Sequence, residues 1–206
     1  MSKSKKHIII ATGGTGGHIF PAVSLMNYLN ENSFITTLTT DKRGLKYIDK
    51  KFVQKTILIN SSPLNKKKKF VSIFKIFFSI LSSLVLLFKN KPKLIFGMGG
   101  YASFPVCFAA IILRIPFIIY ENNLSVGKVN RYLTPFAKKI FVSYEDVKGI
   151  NIKYTGKITI TGNILRENII NHTKINENEL TDNLNVLVLG GSQAAKVFAE
   201  ILPDIF

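Results

Sequence analysis

Residues 10–22 read Ile-Ala-Thr-Gly-Gly-Thr-Gly-Gly-His-Ile-Phe-Pro-Ala, directly behind the apolar run His7 to Ile10. That run is short enough for a buried strand, and the glycines turn the chain sharply before a helix expected to start near His18. Gly13, Gly14, Gly16 and Gly17 let the backbone approach a ligand closely, and the helix would aim its free N–H groups and positive dipole end into the same space. Such a turn suits an anion, above all a phosphate. A plain tight turn is the alternative, because glycine clusters after strands recur in α/β domains. The dinucleotide spacing GxGxxG fails, since counting from Gly14 puts Ile19 where the last glycine belongs, and the spacing GxxxxGK is absent.

Working outward, strand-like runs alternate with helical patterns, as in a parallel sheet with crossover helices. Strands are expected at Ile8 to Ala11, Phe34 to Thr39, Thr56 to Ile59, Leu94 to Phe96, Pro116 to Tyr120, Lys139 to Ser143, Ile158 to Thr161 and Val186 to Leu189. Helices are expected at Phe20 to Leu29, Val71 to Phe88, Ala102 to Leu113 and Ser125 to Leu133. Between Asn168 and Asn185 the chain turns polar, then restarts with a strand and a glycine turn. The organisation expected is a first α/β domain over 1–165, a linker over 166–184, and over 185–206 the opening strand and helix of a second domain, too few residues to enclose a core.

The formal net charge is +16, which favours an anionic partner, although a general drift toward Lys, Asn and Ile accounts for part of it. A mean hydropathy of +0.22 leaves apolar surface beyond what one core needs. Cys107 is the only cysteine, so no intrachain disulfide forms, and a buried thiol in a reducing compartment fits its apolar surroundings. The basic N-terminus resembles the start of a signal peptide, but glycines cut off the apolar segment after about five residues, below the length an export signal needs.

Much of the apolar excess lies in one stretch. Lys66 to Lys69 form a basic block, Phe70 to Phe88 carry Lys75 as their single charge, and Lys89, Lys91 and Lys93 close the far side. By length this is a membrane-span candidate, but a span would cut a sheet with strands on both sides of it. Ser72, Lys75, Ser79, Ser82 and Ser83 recur at helical spacing and leave a wide apolar face. The reading preferred is interfacial docking, with Phe74, Phe77, Phe78 and Leu81 facing lipid and the flanking lysines meeting anionic headgroups. An ordinary buried crossover helix ranks second.

Two further glycine turns follow strands, at Gly97-Met98-Gly99-Gly100-Tyr101 and Gly190-Gly191-Ser192-Gln193. Tyr120-Glu121-Asn122-Asn123 places a carboxylate and two amides at the same carboxyl edge of the sheet, the ligand side of an open α/β fold. These groups suit sugar hydroxyls; equally, the two asparagines suit a turn and a cap for a helix at Ser125. No paired carboxylates sit where they would hold a metal beside a diphosphate, and the three histidines are scattered, so no metal and no cofactor are expected.

Taken in order, Gly-Gly-Thr-Gly-Gly-His-Ile-Phe-Pro, Gly-Met-Gly-Gly-Tyr, Tyr-Glu-Asn-Asn, Thr-Gly-Asn-Ile-Leu-Arg and Gly-Gly-Ser-Gln resemble the MurG family, over nearly the whole chain. That family comprises peripheral membrane N-acetylglucosaminyltransferases of peptidoglycan synthesis. The resemblance implies a GT-B fold of two Rossmann-like domains, the second incomplete here, and inverting transfer of N-acetylglucosamine from UDP-N-acetylglucosamine to lipid I at the cytoplasmic face of the bacterial inner membrane. It also implies substrate contacts at Thr15, Gly16, Gly17, Asn123, Arg166 and Ser192. Further contacts for the acceptor are implied at Gly99, Gly100, Tyr101 and Glu121. His18 becomes the candidate general base, in keeping with a neutral imidazole's ability to take a proton near pH 7; a purely loop-orienting role is the alternative. Against the family pattern, Tyr120 replaces the usual His, Asn122 the usual Gln, Ile164 the usual Pro and Ala194 the usual Gly.

With most of a donor domain missing, the chain is expected to bind donor poorly and to turn over slowly alone. A second reading is a non-catalytic, membrane-associated acceptor subunit working with a separate donor-binding chain. A third is a Rossmann-type oxidoreductase whose Asp41 reads a ribose. Nucleic-acid binding ranks below all three, because the lysines cluster around an apolar helix without a recognised nucleic-acid motif.

Overall fold

The computed structural model describes residues 6–61 and 69–171, with Phe198 and residues 200–204 beyond them. The chain divides into two compact units, Met1–Asn171 and His172–Phe206. The expected strand at Val186 and the glycine turn with Ser192 lie outside the described residues, and in the second unit a short 3-10 turn is seen at Leu202–Asp204.

The first unit is a wholly parallel sheet of seven strands: β1 (His7–Ala11), β2 (Ile35–Thr40), β3 (Thr56–Leu58), β4 (Leu94–Gly97), β5 (Phe117–Glu121), β6 (Lys139–Val142) and β7 (Ile158–Ile160). Their spatial order is β3-β2-β1-β4-β5-β6-β7. The order reverses between β1 and β4, which opens a crevice at the carboxyl ends of those two strands. The strands were legible as apolar runs because helices cover both faces. Along β1, Ile8 and Ile10 pack with Ile19, Ala22 and Met26 of helix α1 (Gly16–Glu31) on one face. Ile9 and Ala11 point the other way, toward Val106, Cys107 and Ala110 of α4 (Ser103–Ile112). Burial there pushes the Cys107 thiol up to about 12, so it stays protonated and inert.

Sequence periodicity passed over four short elements. These are 3-10 turns at Gly44–Tyr47 and Ile152–Lys157, helix α2 (Lys50–Val53), and helix α6 (Glu167–Asn171) inside the expected linker. Each spans six residues or fewer, too short to express a helical period. Helix α5 (Lys128–Leu133) starts later than Ser125, because the Glu121 carboxylate takes the N–H of Gly127, immediately ahead of it.

Helix α3 (Lys69–Asn90) inverts the usual polarity of a crossover helix. Its inner side buries Ser72, Ser79, Ser83 and Leu87 and packs mainly on α4. Small side chains allow that close approach, and the hydroxyls of Ser79 and Ser83 donate to the carbonyls of Lys75 and Ser79, both at 2.7 Å. Ser79 also donates to the Asn60 carbonyl. The outer side exposes Phe70, Phe74, Phe77, Phe78, Leu81, Val85 and Phe88. The segment Phe70–Asn90 is long and apolar enough to cross a membrane, with a mean hydropathy of 2.3, yet only 28% of its most apolar window is buried. A core helix would be mostly buried, so the second-ranked reading from sequence does not hold.

Candidate functional site

The site is built by three loops that meet at the β1/β4 crevice. The loop after β1 leaves through Thr12, whose N–H donates to Thr39 at 2.9 Å, and the loop after β4 leaves through Met98, whose N–H donates to Ala11 at 2.8 Å. The two glycine loops then touch backbone to backbone. Gly100 has φ +78, and a β-carbon on it would stand 2.9 Å from the Gly13 carbonyl carbon and nearer still to its oxygen. A β-carbon on Gly13 would stand 2.9 Å from the backbone nitrogen of Ala102.

The third loop joins through a vacancy in α1. Pro21 has no N–H, so the Gly17 carbonyl four residues earlier loses its helical donor. The Asn122 amide supplies one, donating to that carbonyl at 2.8 Å. Helix α1 begins at Gly16, two residues ahead of the expectation, with Thr15 as its N-cap. The Thr15 side chain makes no capping bond, and the first turn holds no acidic residue. Its leading N–H groups therefore face the crevice without a side-chain acceptor.

His18 sits among these loops. Gly99 lies against its ring, where an added β-carbon would be 3.0 Å from Cε1. Its Nδ1 is buried with no hydrogen-bond partner among the described residues. Burial lowers the His18 pKa below its ordinary value, while the Glu121 charge and the backbone at Met98 pull it the other way. The imidazole is accordingly neutral at pH 7 and free to accept a proton.

Glu121 proves to be an organiser. It is 2% exposed, and four donors fill its oxygens: the Asn123 N–H at 3.1 Å and Nδ2 at 2.8 Å on Oε1, and the Gly127 N–H at 2.9 Å and Asn130 Nδ2 at 3.0 Å on Oε2. These bonds tie the end of β5 to the loop that follows it and to Asn130 of α5. Sequence reading missed buried Asn130, which also donates to the Tyr120 carbonyl at 2.9 Å; an amide among the apolar residues of a helix was the available signal. Tyr120, at the family's His position, donates its hydroxyl proton to the Gly162 carbonyl at 3.3 Å, shares a hydrogen bond with the Ser143 hydroxyl at 2.9 Å, and accepts the Ile164 N–H at 3.1 Å. That anchors the segment leading to Arg166.

Arg166 reaches the same edge: its guanidinium lies 4.5 Å from the centre of the Phe20 ring on α1. This cation–π contact holds the guanidinium at the edge, where its N–H groups suit an anion. Asn123 and Tyr101 are exposed beside the loops. Thr15, Gly16, Gly17, His18, Gly99, Gly100, Tyr101, Glu121, Asn123 and Arg166 are thus brought to one edge of one unit. Asp41 is fully engaged by Arg43 and Gly44, which removes the ribose-reading group on which the oxidoreductase reading stood. Among the described residues no three His, Cys, Asp or Glu side chains group as metal ligands.

Residues 8–142 match the Glycosyltransferase family 28 N-terminal domain. The chain is 40% identical over 205 residues to the Rickettsia felis protein named "UDP-N-acetylglucosamine--N-acetylmuramyl-(pentapeptide) pyrophosphoryl-undecaprenol N-acetylglucosamine transferase", covering 96% of this chain and 56% of the relative. A Pelagibacter ubique protein of the same name is 35% identical, covering 97% and 55%. The crystal structure of MurG from Acinetobacter baumannii superposes with a TM-score of 0.72 at 24% identity, covering 96% of this chain and 56% of that one, and shows the shared GT-B fold. The chain spans about half the length of the curated relatives it matches. By its match to the family's N-terminal domain and by these relatives, the chain belongs to glycosyltransferase family 28 and corresponds to the N-terminal region of MurG.

Proposed function

We propose that the unit over residues 1–171 receives the acceptor in transfer of N-acetylglucosamine from UDP-N-acetylglucosamine to lipid I, giving lipid II. The observation that carries this reading is the convergence of three loops on a neutral His18. In the proposed step, His18 takes the proton of the acceptor hydroxyl as that oxygen bonds to the anomeric carbon. The bond from that carbon to the UDP oxygen breaks, with inversion. The α1 N-terminus and the first glycine loop hold phosphate, while Arg166, Thr15, Gly16, Gly17 and Asn123 contact substrate.

Titration of the chain in bicelles with a short-chain lipid I analogue and with UDP-N-acetylglucosamine tests this. Acceptor binding well ahead of donor binding is expected; tight donor binding with no acceptor binding would reverse the assignment of this unit.

We also place the chain peripherally on the cytoplasmic face of the bacterial inner membrane, with α3 as the docking face. Phe74, Phe77, Phe78 and Leu81 are 62%, 54%, 60% and 41% exposed, so sinking each into lipid is worth roughly 1 kcal/mol. Lys75, Lys89, Lys91 and Lys93 stand exposed along or just past the helix, each contributing about 1 kcal/mol near an anionic surface. Replacing Phe77 and Phe78 by Ser should weaken binding to phosphatidylglycerol-containing vesicles by roughly 30-fold, with the melting temperature unchanged. Co-sedimentation that does not change would remove α3 from the membrane face.

A further inference from the structure

We propose that Arg43 is a contact for the acceptor's diphosphate, a residue outside every motif identified above. The proposal rests on the reading that this diphosphate seats on the first glycine loop. Asp41 follows the carboxyl end of β2, beside β1, and is 3% exposed. Its Oδ1 accepts the backbone N–H groups of Arg43 at 2.9 Å and Gly44 at 3.0 Å, which closes a tight turn. Its Oδ2 accepts Arg43 Nε at 3.2 Å and Nη2 at 2.6 Å. A half-exposed arginine (51% for the side chain) is therefore locked in place by a buried carboxylate, where a surface arginine would ordinarily wander among rotamers.

What the lock aims at is the first loop. Gly14 has φ +87, and a β-carbon on it would come within 3.3 Å of Arg43 Nη2 and 3.9 Å of Nη1. Glycine is needed there both for the left-handed turn and for the guanidinium's approach. Asp41 engages Nε and Nη2, and Nη1 has no protein partner among the described residues. A planar fork held over a phosphate-type loop, with donors to spare, fits two oxygens of a phosphoryl group. Because Asp41 balances its charge, Arg43 acts as a directional clamp on an anion already seated more than as a distant attractor.

The test is titration of the wild-type chain, R43Q and R43K in bicelles with three probes: inorganic pyrophosphate, the short-chain lipid I analogue and UDP-N-acetylglucosamine. R43Q is expected to weaken pyrophosphate and the analogue by roughly tenfold to a hundredfold, with the circular dichroism spectrum of a folded chain and a lowered melting temperature, because the buried Asp41 carboxylate loses its cation. R43K keeps the charge but not the fork and should restore only part of the affinity. Equal binding of pyrophosphate and the analogue by wild type and R43Q overturns the role of Arg43 and leaves the acceptor reading standing. A loss confined to UDP-N-acetylglucosamine assigns Arg43 to the donor and overturns it as well. A folded wild-type chain that binds neither pyrophosphate nor the analogue removes the acceptor reading, and this proposal with it. If R43Q misfolds, R43K binding as wild type overturns the fork argument.

Discussion

Gly100→Ala should destabilise the first unit by about 3 kcal/mol, a left-handed backbone penalty of roughly 1 kcal/mol plus overpacking of roughly 2 kcal/mol. Gly100 holds φ +78, and the new methyl would press on the Gly13 carbonyl. Both groups are backbone, so no side chain is available to swing aside. Parting the two loops is the remaining relief, and it also moves Gly99 away from the His18 ring. A urea midpoint well below wild type and loss of acceptor-analogue binding are expected together. A variant as stable as wild type would mean that the loops are not in contact in solution.

His18→Gln should lower kcat by roughly 10² to 10⁴, the range for removing a general base. The measurement needs a donor half, supplied by joining the chain to the C-terminal half of a curated relative and comparing that fusion with and without the substitution. Acceptor affinity should change little, because glutamine keeps the volume and a polar tip; near-wild-type turnover would reduce His18 to a loop-orienting residue. The pH dependence has a definite sign. Burial lowers the pKa of folded His18, so the rate should hold as pH drops to about 6.5, the ordinary histidine value, and fall only below it. Stability follows the same window: the unfolded chain takes up the proton first, so stability present above about pH 6.5 is lost as pH falls toward the lowered folded pKa. His18→Gln should flatten that slope.

Sequence reached far into this fold because its signals are local. Ile8 to Ala11 reads as a strand since both faces are covered, and glycines after β1 and β4 mark turns whatever surrounds them. The aromatic face of α3 was legible from serine spacing alone. What stayed hidden depends on partners distant in the chain. Nothing near Asp41 announces that Arg43 will fold back onto Gly14, and nothing near Glu121 says that Asn130 will fill its last lone pairs. Tyr120 looked like a tolerable departure at a histidine position, and only the fold reveals that its hydroxyl ties β5 to Ser143, Gly162 and Ile164. Residues that choose ligands and residues that hold the choosers look alike in a string of letters.

The proline in α1 carries an evolutionary corollary. With Pro21 in place, the Gly17 carbonyl depends on an amide from a loop some hundred residues away; with any other residue there, the helix would satisfy that carbonyl itself. The two positions ought to covary. Homologues that keep proline at position 21 should keep a side-chain donor at position 122, as the Gln of the family pattern also provides, while those that abandon the proline should drift freely there. A large alignment in which the two positions vary independently would count against the tether. If they vary together, a helix-breaking residue has been retained to hold open a socket for a neighbouring loop.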